Sequence, residues 1–244
     1  MKFSIVTLSY NQEKFIKECI ESVINQKDVN IEYIVVDPGS KDSSRKIINS
    51  YKKIKKVYKK DNGPSEGLNN GFSIATGDYF GFLNADDYLL PDAIKKIEEE
   101  IKKSGANFIS GKGVQLQNKN YKTILPTKLT LEKMIYRVSK IFQPSTFFSR
   151  ELYHLTNGFN PNNKTCWDYE LYVDMLKVGA KHHLLNENLA VFRLYENSIT
   201  GSGRFKNEYQ KDLSRIFKEN KNRNYNFLDK TLTFLLRSFN MFPK

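Results

Sequence analysis

The strongest constraint on this chain is a strand–helix rhythm through its first half, in which every apolar run stops at a polar cluster. Residues 3–8 form a short β-branched run ended by Ser9-Tyr10-Asn11-Gln12. Phe15, Ile16, Cys19, Ile20, Val23 and Ile24 then recur at helical spacing. Residues 31–36 are nearly continuous apolar sequence, as in a strand covered on both faces, and stop at Asp37-Pro38-Gly39-Ser40. The pattern continues with a helix over 43–51, a short strand at 57–58, a loop over 61–66 and a helix over 67–75. A strand over 78–83 and a helix over 91–103 follow. Repeated strand–helix–strand units predict an α/β chain with a mostly parallel sheet flanked by helices. In the second half, residues 141–148 read as a strand containing Pro144, 157–164 as a loop, 167–179 as a helix stopped by Gly179, and 184–192 as a last strand.

On open parallel sheets ligands bind beyond the carboxyl ends of the strands. Three expected strands end in Leu8-Ser9-Tyr10-Asn11, Asp37-Pro38-Gly39-Ser40 and Asn84-Ala85-Asp86-Asp87, so these clusters should meet at one cleft. Each cluster alone is also explained by the ordinary polarity of strand ends. With 39% hydrophobic residues, 13 Gly and 7 Pro in 244, the chain is too apolar for a disordered protein. Cys19 and Cys166 cannot build a disulfide scaffold, and no Cys/His cluster suggests zinc. No apolar run approaches the length of a membrane span and the opening residues do not read as a secretory leader, so a cytoplasmic location is expected. A net charge of +12 calls for an anionic partner: a phosphate ligand, a nucleic acid or a membrane surface.

Asn84-Ala85-Asp86-Asp87 is the sharpest chemical feature. Two adjacent carboxylates at a strand end repel unless a cation lies between them, and oxygen-only ligands suit Mg²⁺ or Mn²⁺. The plain alternative is an Asp pair capping the next helix. Asp168 opens a helix, where an N-cap role competes with a chemical one. Trp167, the only Trp, reads equally as a core aromatic or as a wall against which a ring stacks.

The order of several segments carries more information than any one of them. Ser4-Ile5-Val6-Thr7-Leu8-Ser9-Tyr10-Asn11-Gln12 is followed by Glu32-Tyr33-Ile34-Val35-Val36-Asp37-Pro38-Gly39-Ser40-Lys41-Asp42. Then come Asp61-Asn62-Gly63-Pro64-Ser65-Glu66-Gly67 and Phe82-Leu83-Asn84-Ala85-Asp86-Asp87. The last are Gln143-Pro144-Ser145-Thr146-Phe147-Phe148 and Cys166-Trp167-Asp168-Tyr169-Glu170-Leu171, with Phe192-Arg193 and Ser198-Ile199-Thr200 beyond them. Nearly end to end, this resembles the family 2 glycosyltransferases of the GT-A fold, the nucleotide-sugar enzymes of bacterial surface-polysaccharide assembly.

The resemblance implies a GT-A domain over 1–203, with a nucleotide-sugar half over 1–110 and an acceptor half over 111–203. It implies inverting transfer of a sugar from a nucleoside-diphosphate sugar, UDP first among them, to a hydroxyl of a glycan or polyprenyl-linked acceptor. Asp37 would bond the base; Leu8, Tyr10, Asp61, Asn84 and Ala85 would line the nucleotide. Asp86 would hold a Mn²⁺ or Mg²⁺ ion, with Asp87 as second ligand or orienting residue. Asp168 would be the general base, with Glu170 and Asp174 in reserve, and Trp167 and Gln143 would face donor or acceptor sugar. Some positions depart from the family pattern. Pro38 stands where a second Asp or Gly is common, Asn84 where Asp is common, and Tyr195 where many members place a metal-touching His. His182 and His183 lie outside any motif and read as solvated or strand-entry residues. A nucleotidyltransferase, or a non-catalytic nucleotide-sugar-binding protein, is the alternative; the former would normally show a Gly-rich phosphate loop at the first strand, where this chain has Ser9-Tyr10-Asn11-Gln12.

Residues 204–244 interleave Phe205, Tyr209, Phe217, Tyr225, Phe227, Phe234, Phe239 and Phe242 with cations, and Leu232, Leu235, Leu236 and Phe239 fall near helical spacing. This helical extension reads either as a membrane-surface helix at the inner face of the cell membrane or as a helix packed on the domain with a solvated basic face. The charge is not gathered around any nucleic-acid-binding motif, so no nucleic-acid partner is expected.

Overall fold

The computed structural model describes residues 1–196, 198 and 201–240; Ile199, Thr200 and Phe242 lie outside the described residues. The strands are β1 Lys2–Leu8, β2 Asn30–Val36, β3 Lys55–Val57, β4 Tyr79–Asn84, β5 Tyr88–Leu89, β6 Phe108–Gln117, β7 Asn120–Ile124, β8 Thr146–Ser149 and β9 His182–Arg193. The helices are α1 Ile16–Ile24, α2 Ser44–Ser50, α3 Pro64–Phe72, α4 Ala93–Ser104, α5 Leu131–Ile135, α6 Arg150–His154, α7 Trp167–Lys177, α8 Lys206–Lys221 and α9 Phe227–Asn240. The strands form one sheet in the order β3-β2-β1-β4-β8-β6-β9-β5, with β7 paired to β6.

The first four strands of that order are parallel, as the strand–helix rhythm requires. Beyond β4 the sheet is mixed: β8 runs antiparallel to both β4 and β6, β9 parallel to β6, and β5 antiparallel to β9. The strand expected over 141–148 is shorter than the sequence suggested. Pro144 has no N–H for a central ladder, so Gln143–Ser145 forms a 3-10 turn and pairing starts at Thr146. The hairpin β6–β7 was invisible in the sequence, because Gly111, Gly113 and several polar residues make β6 read as loop. Both glycines are required by packing: a Cβ on Gly111 would meet Leu189, and one on Gly113 would meet the Phe142 ring.

Alternation along the strands divides the core into two layers. Phe3 and Ile5 of β1 point to the face covered by α1, α2 and α4, through Ile16, Ile20, Val23, Ile48, Ile94, Ile97 and Ile101. Val6 points to the face covered by α3, α6 and α7, through Leu68, Phe72, Leu152, Leu171, Tyr172 and Met175. Helix α3 lies unusually close to the sheet, because a Cβ on Gly71 would come within 2.5 Å of Val6 Cγ1 and 3.0 Å of Val36 Cγ2. Helices α8 and α9 close a third, smaller cluster of Ile135, Tyr136, Val138 and Phe217.

Glu32 ties the parallel half together from its amino end. Its buried carboxylate accepts from Ser4 Oγ at 2.6 Å, Lys55 Nζ at 2.7 Å, Thr76 N at 2.7 Å and Lys2 Nζ at 3.1 Å. Burial pushes its pKa up, but Lys55, Ser4 and Thr76 outweigh that and hold it well below the usual carboxylate range. A carboxyl whose folded pKa is depressed stabilises above its unfolded pKa and loses that contribution as pH falls. Glu32→Gln should therefore cost about 2–4 kcal/mol at neutral pH, read by chemical denaturation, and the gap to wild type should narrow as pH drops below about 4.

Candidate active site

The carboxyl ends of β1, β2 and β4 open onto one cleft of about 680 Å³. Leu8, Ser9, Tyr10 and Gln12 line it from β1, Pro38 and Gly39 from β2, and Asn84, Ala85 and Asp86 from β4. Lys60, Asp61, Gly63 and Pro64 supply the wall at the start of α3, and Phe192 of β9 with Tyr195, Ser198 and Arg204 after it the facing wall. A second hollow of about 320 Å³ adjoins it, lined by Phe82, Gln115, Ile124, Ile141, Phe142, Gln143, Thr165 and Asp168 among others. Asn84, Trp167 and Phe192 line both, so these three side chains stand between the hollow that holds Asp86 and the one that holds Asp168.

The turn after β4 owes its shape to Arg193 at the end of β9. The Arg193 backbone N–H donates to Asp87 Oδ1 at 3.0 Å, and its guanidinium donates to the Asp86 carbonyl at 2.6 Å. The same guanidinium pairs with Glu18 at 2.5 Å and lies over the Tyr88 ring at 4.5 Å. Asp87 is fully buried, and burial, with repulsion from Asp86, pushes its pKa well up; Arg193 and the Asn84 side chain pull the other way. Asp86 reaches the cleft, where Tyr195 Oη donates to its Oδ2 at 3.0 Å. Burial raises the Asp86 pKa too, and pushes the Tyr195 phenol up to about 12, helped by the neighbouring Asp86 charge. Strand β5 follows the pair directly, and the next helix begins after Asp92, so Asp86 and Asp87 do not cap it.

This pair suits a hard divalent cation. Asp86 lies on the cleft wall, and beside it the buried Asp87 keeps an Oδ2 that has no hydrogen-bond partner among the described residues. Among the described residues no group of three His, Cys, Asp or Glu side chains could complete a shell. Mg²⁺ or Mn²⁺ would then take its remaining oxygens from water and a bound diphosphate, which is how such ions usually bind.

Asp168 sits in the first turn of α7 and lines the second hollow. The cap position belongs to Cys166, which makes no side-chain cap bond, so the capping role considered for Asp168 falls away. Burial raises the Asp168 pKa; backbone N–H bonds at the helix start oppose this in part. Trp167 is buried, as a core aromatic would be, and lines both hollows. Gln143 Nε2 donates to the Phe82 carbonyl at 2.7 Å and walls the second hollow.

Other expected residues lie elsewhere. Asp37 is fully buried and does not line the cleft: its Oδ1 accepts from Gly39 N, Ser40 N and Arg45 Nε at 2.8–3.0 Å, and its Oδ2 from Ser40 Oγ at 2.5 Å. As placed, the carboxylate shapes the turn that presents Pro38 and Gly39, rather than facing a base itself. Glu170 is bridged by both Arg215 Nη atoms at 2.7 Å, and with Asp174 it borders a separate hollow near α8, so neither stands in reserve for Asp168. His182 is buried between Ser110 Oγ and Leu129 N, and His183 pairs with Glu100. The sequence also concealed Ser9 Oγ, which is buried without a hydrogen-bond partner among the described residues, and the cleft positions of Lys60 and Arg204.

Residues 4–159 match the family model described as glycosyl transferase family 2. The chain is 26% identical over 215 residues to the uncharacterized glycosyltransferase EpsJ of Bacillus subtilis, covering 81% of this chain and 62% of EpsJ. It is 28% identical over 214 residues to the putative teichuronic acid biosynthesis glycosyltransferase TuaG of the same organism, covering 82% of this chain and 81% of TuaG. It spans only 19% of the Pasteurella multocida chondroitin synthase, at 27% identity over 194 residues, or 74% of this chain. Among solved structures, S. aureus TarS 1-349 in complex with UDP-GlcNAc superposes with a TM-score of 0.75 at 19% identity, over 97% of this chain and 70% of that one. The mannosyltransferase PcManGT from Pyrobaculum calidifontis, in complex with GDP-Man and Mn²⁺, gives 0.67 at 13% identity over 97% and 69%. The fold is the GT-A arrangement of these neighbours.

Replacing Arg193 by Met should lower stability by about 2–3 kcal/mol, because the Asp86 carbonyl loses its guanidinium donor, Glu18 its ion pair and buried Asp87 the nearby positive charge. Denaturant midpoints with an unchanged slope would record this loss. Asp168→Asn should act in the opposite direction. A raised folded pKa favours the protonated carboxyl, so the ionised group costs stability at neutral pH; the Asn variant should melt at or above wild type there, and the difference should vanish in acid.

Proposed function

Since the chain belongs to glycosyl transferase family 2, we propose that it transfers a sugar from a nucleoside-diphosphate sugar, UDP-linked in the first instance, to a hydroxyl of a glycan or polyprenyl-linked acceptor with inversion at the anomeric carbon. The observation that carries this reading is the pair of adjoining hollows, one with Asp86 on its wall and the other with Asp168, divided by Asn84, Trp167 and Phe192. Solved neighbours in complex with UDP, UDP-GlcNAc or GDP-Man support a nucleotide-sugar donor in the larger hollow. TuaG, named for teichuronic acid biosynthesis, supports a surface-polysaccharide setting.

Each residue then has a task that its surroundings suit. Tyr10, Pro38 and Gly39 receive the nucleoside, and Leu8 and Asp61 close its sides. Lys60 and Arg204 bring positive charge to the diphosphate. A Mg²⁺ or Mn²⁺ ion held by Asp86, with Asp87 behind it, would neutralise charge on the departing diphosphate. Asp168 takes the proton of the acceptor hydroxyl as its oxygen bonds the anomeric carbon; the bond from that carbon to the diphosphate oxygen breaks, and the nucleoside diphosphate leaves with the electron pair. A carboxylate whose pKa is raised by burial is a stronger base than one in water, and a positioned base contributes about 10²–10⁴-fold.

The test is release of nucleoside diphosphate by the full chain from a panel of UDP-, GDP- and dTDP-sugars with Mn²⁺ and a mixture of glycan and polyprenyl-phosphate acceptors. Asp168→Asn should lower kcat by at least about 10²-fold while the thermal shift produced by UDP is retained. In wild type, kcat/KM should fall on the acid side with a midpoint above the ordinary carboxylate range. An Asn variant with unchanged turnover would remove Asp168 from its role.

A further inference from the structure

The outer face of α9 is mostly apolar, broken only by Thr231 and Ser238, whose hydroxyls bond back to the Phe227 and Phe234 carbonyls, and no part of the described chain covers it. Helix α9 is held from its inner side. Leu236 packs on the cluster of Ile135, Tyr136, Val138 and Phe217, Asp229 is bridged by both Arg223 Nη atoms at 2.6 and 2.7 Å, and Thr233 Oγ1 donates to the Tyr136 carbonyl at 3.4 Å. The opposite side is left open: Phe227 is 76% exposed, Leu228 74%, Phe234 70%, Leu235 47% and Leu232 40%. A row of large apolar side chains exposed on one helix marks an interaction surface.

The charges on α9 say what kind of surface it meets. The helix has one carboxylate, Asp229, and it is buried against Arg223, so none of its acidic groups faces outward. Lys230 and Arg237 are seven residues apart and therefore share a side of the helix. At about 100° per residue they fall between the buried stripe of Asp229 and Thr233 and the edge of the open face at Phe227 and Phe234. Cations bordering an exposed apolar face, with outward acid absent, fit a helix lying in the headgroup layer of an anionic bilayer. Among the described residues no helix is long and apolar enough to cross a membrane, which suits contact in the plane rather than a span. A second copy of the chain is a poorer complement, because pairing two such faces would bring together the Lys230 and Arg237 borders of molecules that each carry a net charge of +12.

We propose that α9 docks this protein on anionic lipid, with Phe227, Leu228, Leu232, Phe234 and Leu235 entering the interface, Lys230 meeting the headgroups, and Arg237, which donates to the Arg137 carbonyl at 3.3 Å, adding positive charge at the same border. The reading stands on α9 alone and does not depend on the transfer chemistry. Co-sedimentation of the full chain with vesicles of phosphatidylcholine plus phosphatidylglycerol, and with phosphatidylcholine alone, tests it. Binding to the anionic vesicles should be at least tenfold stronger and should weaken steeply with added salt. The doubly substituted Leu228→Glu, Phe234→Glu chain should lose at least tenfold with its melting temperature unchanged, since both side chains are exposed. Lys230→Gln should reduce binding to anionic vesicles more than to neutral ones. Equal sedimentation of the double variant, or failure of wild type to bind anionic vesicles, would overturn the proposal. So would a wild-type dimer by light scattering that the double variant dissolves, which would give the face to a second copy.

Discussion

Everything at the mouth of the cleft depends on one cation reaching across the sheet. Arg193 arrives at the end of β9, from the mixed half of the sheet, and fastens the turn at the end of β4, in the parallel half. A fully buried carboxylate such as Asp87 is expensive; Arg193 gives its Oδ1 a backbone N–H and brings a nearby positive charge, while the guanidinium itself bonds the Asp86 carbonyl and Glu18. With Asp87 turned inward and anchored, its neighbour Asp86 is left on the cleft wall. One ion-paired arginine thus fixes the orientation of two adjacent acids that would otherwise repel, and joins the halves of the molecule where their hollows adjoin.

How much of this was legible in the sequence differs between those halves. The parallel half follows from local pattern: apolar runs of strand length, helical periodicity between them, and polar residues at each carboxyl end. The mixed half does not, because β6 contains glycines whose absent side chains make room for Phe142 and Leu189, and a sequence pattern does not show that room. The strand expected over 141–148 ran through Pro144, and the structure instead breaks there into a 3-10 turn before pairing starts at Thr146. The residues at strand ends could be named as cleft residues from topology alone. Asp37 is instructive here: it ends β2 as expected, yet three backbone and side-chain donors in its own turn, together with Arg45, take up its oxygens. Lys60 and Arg204 could not be chosen among 39 Lys and Arg residues, because loop paths place them at the cleft. Asp168 was found through a resemblance to known enzymes; a residue opening a helix gives no local sign that it lines a hollow.

The segment that positions Asp168 is braced by α8. Arg215 bridges Glu170 in the first turn of α7, which also accepts from Asn160 at 2.9 Å and Asn163 at 2.6 Å. Asp212 of α8 accepts from Thr165 Oγ1 at 2.8 Å. These bonds grip the loop on both sides of Trp167 and leave Asp168 with few ways to reorient. The helices that follow the last strand therefore do more than cover apolar surface: they stiffen the element that carries the expected base.

The missing side chain at Gly71 has a counterpart one turn earlier, at Gly67, where a Cβ would come within 2.8 Å of Asp61 Oδ2 and 3.0 Å of Leu8 Cδ2, both residues of the cleft wall. The aperture of the cleft is thereby gauged from behind. A methyl group at Gly67 would act as a wedge between α3 and the Asp61 and Leu8 side chains, and one at Gly71 would press the far end of the helix off Val6 and Val36. What the mouth admits can thus be retuned by residues that never touch the guest.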